Sequence, residues 1–220
     1  MRTVIFDLDG TLADTSGDLI AAANACFRAL GEGDPLDPAK DVATAFAGGK
    51  AMLSLGFERL GRPDPDAVER LYPVLLGHYG EAIDVYTTLY PGAVEAVEAL
   101  RAKGFKTGIC TNKPEALAQD LMTRLGVRDL FGSLIGADTL AHRKPHPAPY
   151  IASVEQAGGT LTRSLLVGDT ATDRETARAA GVASVLVTFG AEGDRVAALA
   201  PEALLPNYQA LLPIVEKLLP

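Results

Sequence analysis

No stretch of this 220-residue chain approaches the roughly 18 consecutive apolar residues that a membrane span requires. The apolar run at its N-terminus meets Asp7 and Asp9 before it reaches the length of a secretory core, so the expectation is a soluble, cytoplasmic protein. Basic charge is scarce as well: 20 Lys and Arg stand against 28 Asp and Glu, a net charge of −8, and the basic residues are scattered. Without a basic stripe or a basic amphipathic helix, such a surface repels phosphate backbones and anionic membranes, and neither nucleic acid nor membrane is expected as a partner. The two cysteines, Cys26 and Cys110, lie far apart in apolar segments and read as small buried hydrophobes rather than a disulfide or a metal pair. His78, His142 and His146 are dispersed, and the zinc-protease, P-loop, dinucleotide and nucleophile-elbow patterns are absent.

What remains is average globular composition, 48% hydrophobic and 22% charged, at a length of about one and a half typical domains. Short apolar runs recur at Thr3–Phe6, Lys106–Cys110, Leu134–Ala137, Leu165–Val167 and Ser184–Val187, the pattern of buried parallel strands. Amphipathic segments lie among them: 92–103, 114–125, 147–157 and 172–180, each stopped by a glycine. The alternation predicts an α/β fold with a Rossmann-like, doubly wound parallel sheet. Between about Gly17 and Asp84 there is no strand candidate, only helical patterns at 18–30, 50–60 and 66–79, with Pro73 expected to bend or interrupt the third. This predicts a core of residues 1–15 and 87–220, with a small all-helical cap domain, 16–86, inserted after the first strand and hinged near Thr15 and Thr87–Pro91. The tail predicts an edge strand at 202–205 and a short helix from about Pro213.

Polar chemistry concentrates where apolar strands end. The first strand runs into Asp7-Leu8-Asp9-Gly10-Thr11, the second into Thr111-Asn112-Lys113-Pro114. A loop after the third carries Lys144-Pro145-His146-Pro147-Ala148-Pro149, and the fourth ends in Gly168-Asp169-Thr170 with Asp173 four residues beyond Asp169. Taken singly these are a turn, an N-cap, a solvated lysine and acids at a helix start. Together, four strand ends deliver four aspartates, a Thr-Asn pair and a lysine to the carboxyl edge of one sheet, where α/β folds bind ligands. Clustered carboxylates repel one another unless a cation intervenes, and an oxygen-only donor set selects Mg²⁺. The donors opposite them suit a phosphoryl group.

These four motifs, in this order, resemble those of the haloacid dehalogenase-like hydrolase superfamily, over almost the whole of the predicted core. The Lys-Pro-x-Pro-x-Pro loop, Thr111-Asn112-Lys113 and the helical insertion are similar to the phosphoglycolate phosphatase group within it. The resemblance implies a Mg²⁺-dependent phosphatase acting on a small phosphorylated metabolite, 2-phosphoglycolate foremost, through an aspartyl-phosphate intermediate. It makes Asp7 the nucleophile and Asp9 the general acid and base; the aspartate at position 9 argues for phosphoryl rather than dehalogenase chemistry. Asp7, the carbonyl of Asp9 and Asp169 would hold the metal. Thr111, Asn112 and Lys144 would hold the phosphoryl oxygens, with Asp173 orienting Lys144 or a metal-bound water. Lys113 matches the motif without an assigned role. In the cap, Gly48-Gly49-Lys50 and Arg59 are candidates for contacts to a substrate carboxylate, against the plainer reading of Lys50 and Arg59 as solvated helix charges. Related activities stay open at this point, namely sugar phosphatase, pyrophosphatase and β-phosphoglucomutase. So does a non-catalytic phosphate-binding module, which would be expected to have lost Asp7 or Asp9.

Overall fold

In the computed structural model, which describes residues 1–220, the chain divides into two units, residues 1–13 with 89–220 and residues 14–88. The elements in chain order are β1 (Thr3–Phe6), β2 (Ala13–Asp14), α1 (Ser16–Ala29), α2 (Val42–Phe46), α3 (Gly49–Arg59), α4 (Pro65–Glu81) and β3 (Thr88–Leu89). They continue with α5 (Ala93–Ala102), β4 (Lys106–Cys110), α6 (Glu115–Arg124), β5 (Ser133–Ile135), α7 (Pro147–Gln156), β6 (Ser164–Gly168), α8 (Ala171–Ala180), β7 (Ala183–Val187), β8 (Ala203–Leu205) and α9 (Leu211–Leu218). β2 and β3 pair as a short ribbon where the chain leaves the first unit and returns to it.

The first unit is built on a six-stranded sheet of order β5-β4-β1-β6-β7-β8, parallel throughout. A parallel strand covered on both faces needs an unbroken apolar run, and Val4-Ile5-Phe6 and Leu165-Leu166-Val167 supply it, every one fully buried. The register matters for function. Phe6 lies opposite both Ile109 and Val167, so the residues that follow these three strands emerge side by side at the carboxyl edge. The helices stop where a residue enters the left-handed region, as at Gly181 with φ 70°, which a glycine adopts without strain.

Two expectations need correction here, and a third is narrowed. The strand read at Leu134–Ala137 is Ser133–Ile135, because the Gly136 N–H turns to Thr139 Oγ1 and the Ala137 N–H to the Lys113 carbonyl, taking the chain out of the ladder. The last helix starts at Leu211, leaving Pro213 in its first turn, where a missing N–H breaks no helical bond. Of the two outcomes expected for Pro73, interruption does not occur: the 17-residue α4 runs unbroken from Pro65 to Glu81. Pro73 and Glu69 are both exposed, so the carbonyl that the proline leaves without an intrahelical partner faces water.

The second unit is helical apart from the ribbon residues, and includes the five-residue α2, which the sequence pattern did not announce. Phe27 of α1 and Phe57 of α3 meet edge to face at 5.1 Å. Gly56 makes this approach possible, since a Cβ there would lie 2.2 Å from Phe27 Cζ. Buried Asp18 accepts from the Tyr86 and Thr87 N–H groups and the Thr87 hydroxyl at 2.7–3.0 Å, tying the end of the unit to its first helix. No helix of the protein is long and apolar enough to cross a membrane. Cys26 and Cys110 are free and buried, and burial pushes the Cys110 thiol up to about 12.

Candidate active site

Asp7 follows β1 directly, and its N–H still bonds to the Val167 carbonyl of the neighbouring strand at 2.9 Å. Its Oδ1 accepts from the Leu8 N–H at 2.7 Å, and its Oδ2 lies 2.9 Å from Lys144 Nζ. The next residues wind into a tight loop in which the N–H groups of Thr11, Leu12 and Ala13 converge on the Leu8 carbonyl, with Gly10 at φ 77°. Tyr208 fastens this loop by donating its hydroxyl to the Thr11 carbonyl at 2.7 Å. Asp9 projects from it, with Oδ1 2.7 Å from Lys113 Nζ.

On the neighbouring strand end, buried Thr111 accepts the Lys113 N–H on its Oγ1 at 3.1 Å. Asn112 donates its side-chain amide to the Lys144 carbonyl at 3.1 Å, so the loop after β4 and the loop carrying Lys144 are tied together. The Lys144 side chain is 1% exposed and shared between Asp7 and Asp173, the latter at 2.7 Å. After β6, Asp169 accepts the Thr11 hydroxyl at 3.0 Å. Asp173, fully buried at the start of α8, takes Lys144 on Oδ1 and, on Oδ2, the N–H groups of Asp169 and Thr170 and the Thr170 hydroxyl. Gly168 has no room for a side chain: a Cβ would lie 2.3 Å from Asp173 Cγ.

Electrostatics follow from this crowding. Burial pushes Asp7 up to about 7; Lys144 opposes the rise, while Asp173 and Asp9 add to it. Asp169 is likewise raised by burial, then by Asp173 and Asp7. Burial alone would lower Lys144, but Asp173 and Asp7 outweigh it and hold the ammonium well above the usual lysine range. Carboxylate oxygens of Asp7, Asp169 and Asp173 lie within 4.8 Å of one another. Asp173 is fully engaged by Lys144 and three other donors, which leaves Asp7 and Asp169 as the pair facing one cation. An all-oxygen set with two carboxylates whose ionised forms are disfavoured by burial and by neighbouring acids fits a hard divalent metal.

The structure therefore brings Asp7, Asp9, Thr111, Asn112, Lys144, Asp169 and Asp173 together at one sheet edge. Lys113, which the sequence left without a role, belongs to the same cluster, and Thr11 and Tyr208 support it. Thr11 stood inside a recognised motif; for Tyr208, 197 residues from the carbonyl it bonds, no local signal exists.

Similarity to known proteins points the same way. The family of haloacid dehalogenase-like hydrolases matches residues 1–181. The chain belongs to this family. It is similar to the phosphoglycolate phosphatase of Rhodospirillum rubrum, 38% identical over 217 residues covering 96% of this chain and 89% of that one. It is similar also to that of Xylella fastidiosa, 39% identical over 189 residues, 86% of this chain and 81% of that one. Among solved structures, a predicted phosphoglycolate phosphatase from Haemophilus somnus superposes with a TM-score of 0.83 at 26% identity, covering 97% of both chains.

The hydrolase's remaining candidates lie in the 14–88 unit. Gly48, at φ 107°, precedes α3, and Gly49 is its first residue. Lys50 Nζ is held by both oxygens of Glu69 at 2.7 and 2.6 Å. Arg59 makes two bonds of 2.6 Å to buried Asp41 and one of 2.9 Å to the Pro35 carbonyl, so its charge is consumed in bracing α3 against the loop before α2. This agrees with the plainer reading of Arg59 as a helix charge, with Asp41 rather than water alone as its partner.

Proposed function

We propose that this hydrolase cleaves 2-phosphoglycolate to glycolate and inorganic phosphate, using Mg²⁺ and an aspartyl-phosphate intermediate. That it is a phosphoric monoester hydrolase rests on its family and on relatives of that name over most of its length. The observation that supports the mechanism is the convergence of Asp7, Asp9, Asp169 and Lys144 at adjoining strand ends, each with a different partner.

In the first step an Asp7 oxygen bonds to phosphorus, the bond from phosphorus to the leaving oxygen breaks with its electron pair on that oxygen, and Asp9 hands it a proton. In the second, water bonds to phosphorus and gives a proton to Asp9, and the electron pair of the bond between Asp7 and phosphorus returns to the Asp7 carboxylate. Lys144 and the Thr111 hydroxyl hold phosphoryl oxygens, with the Asn112 N–H beside them. Asp173 keeps Lys144 aimed by its 2.7 Å bond. Asp7, the Asp9 carbonyl and Asp169 would hold the metal, which when bound neutralises charge between the nucleophile and the phosphoryl group. Everything this chain contributes is position and charge, which is what in-line phosphoryl transfer requires.

The test is phosphate release from 2-phosphoglycolate, sugar phosphates and pyrophosphate, in Mg²⁺ and in EDTA, with Asp7→Asn as control. A metal-dependent preference for 2-phosphoglycolate, lost in the control, is expected. Equal turnover of the whole panel would leave a general phosphatase, and activity in Asp7→Asn would remove the proposed nucleophile.

A further inference from the structure

Lys113 is the one buried cation of the site that the mechanism above does not use. Its side chain is 3% exposed and its Nζ donates to Asp9 Oδ1 at 2.7 Å. Its backbone is fixed on both sides: the N–H goes to Thr111 Oγ1 at 3.1 Å, and the carbonyl accepts the Ala137 N–H at 2.9 Å. The ammonium is therefore aimed at Asp9 from a rigid strand end. Asp9 itself sits on a loop with its side chain 19% exposed, where the 2.7 Å bond from Lys113 constrains the orientation of its carboxyl. Lys144 does not duplicate this arrangement, since its partners are Asp7 and Asp173.

We propose that Lys113 is a positioning residue that holds the Asp9 carboxyl in the orientation from which it protonates the leaving oxygen. The inference rests on the phosphatase reading above. It makes a selective demand on the substrate. When the bond from phosphorus to oxygen breaks, an alkoxide such as that of glycolate must take a proton as it receives the electron pair. A nitrophenolate spreads that pair into its ring and departs without one. Disturbing the orientation of Asp9 therefore penalises alkyl esters and spares aryl esters in the step that forms the phosphoenzyme, the step that kcat/KM reports.

The experiment measures kcat/KM in saturating Mg²⁺ for 2-phosphoglycolate and for p-nitrophenyl phosphate, in the wild type, Lys113→Met, Lys113→Arg, Asp9→Asn and the Asp9→Asn/Lys113→Met double variant, with melting curves for each. Lys113→Met is expected to lose about 30- to 100-fold on 2-phosphoglycolate, within the range for misplacing a general acid, and less than about fivefold on the aryl ester. Lys113→Arg keeps a cationic donor and recovers part of the loss, and it carries the comparison if the methionine variant does not fold. In the Asp9→Asn background the Lys113→Met change adds less than about twofold, because the acid that Lys113 orients is already gone. Equal losses on both esters, or a loss that persists in the Asp9→Asn background, would overturn the proposal and make Lys113 a structural or substrate-binding residue. A wild type that hydrolyses neither ester would instead overturn the phosphatase reading on which it rests.

Discussion

Replacing Asp173 with asparagine separates the charge of this buried residue from its hydrogen bonds. At an effective dielectric of about 20, the ammonium of Lys144 at 2.7 Å attracts the carboxylate by ~6 kcal/mol. Asp7 and Asp169, whose oxygens lie within 4.8 Å, each repel it by at least ~3 kcal/mol once ionised. The two Coulomb contributions therefore nearly cancel, and neutralising the residue leaves chiefly its hydrogen bonds to decide stability. Both carboxylate oxygens accept, Oδ1 from Lys144 and Oδ2 from three donors, whereas an amide has a single oxygen. Whichever way the asparagine turns, its NH₂ group faces donors, at a cost of about 2 kcal/mol. Urea unfolding in EDTA at pH 8, where Asp7 is ionised, should therefore show the midpoint lowered by roughly 1 M for a slope of about 2 kcal/mol per molar. In Mg²⁺ the repulsions vanish while the attraction to Lys144 stays, so the loss should grow toward the 3–5 kcal/mol typical of breaking a buried pair. An Asp173→Asn variant as stable as wild type in both conditions, or more destabilised in EDTA than in Mg²⁺, would refute this account of the cluster.

Three further outcomes follow from the same geometry. Because Asp7 is raised from 3.8 to about 7 in the folded chain, the metal-free protein holds an extra proton across that window and loses stability as pH rises through it. Mg²⁺ competes with that proton, so the rise in Tm on adding Mg²⁺ should be larger at pH 8 than at pH 5.5; equal rises would count against Asp7 as a ligand. Gly168→Ala forces a methyl to within 2.3 Å of Asp173 Cγ, and because that side chain is pinned by four bonds the cost should be about 2–3 kcal/mol, seen as a Tm several degrees lower; a wild-type Tm would show that the pocket yields. Arg59→Ala should cost about 1–2 kcal/mol, moderated by the arginine's partial exposure, and leave the KM for 2-phosphoglycolate unchanged; a tenfold rise in KM would reinstate Arg59 as a substrate contact.

The sheet and the acids at its edge were legible in the sequence for a physical reason. A parallel strand covered on both faces is built on an apolar run and rarely admits a charge, so the point where Val4-Ile5-Phe6 gives way to Asp7, or Leu165-Leu166-Val167 to Gly168-Asp169, marks both the strand end and the candidate site. Partnerships across the fold leave no such trace. Lys113 meets Asp9 across 104 residues and Thr11 meets Asp169 across 158, and nothing in the spacing of either pair announces it. Arg59 is a further case: its charge alone did not say which anion it meets, and the anion is Asp41, 18 residues away in the same unit. Whether Pro73 would interrupt or only bend its helix was open in the sequence, because a proline's cost depends on whether water reaches the stranded carbonyl, which a linear pattern does not contain.

The charges of the cluster give a reason to expect metal and substrate to act together. Asp7, Asp9, Asp169 and Asp173 bring four negative charges when ionised, and Lys113 and Lys144 bring two positive ones, leaving two negative charges in a largely buried site. A divalent cation cancels them, whereas a phosphate ester dianion arriving alone would double them. Water excluded from such a site cannot screen the difference. Burial first, and the neighbouring carboxylates after it, raise both Asp7 and Asp169 and so disfavour their charged forms where no cation is bound. Binding of a phosphoryl analogue should therefore require the metal, while the metal should bind without the analogue.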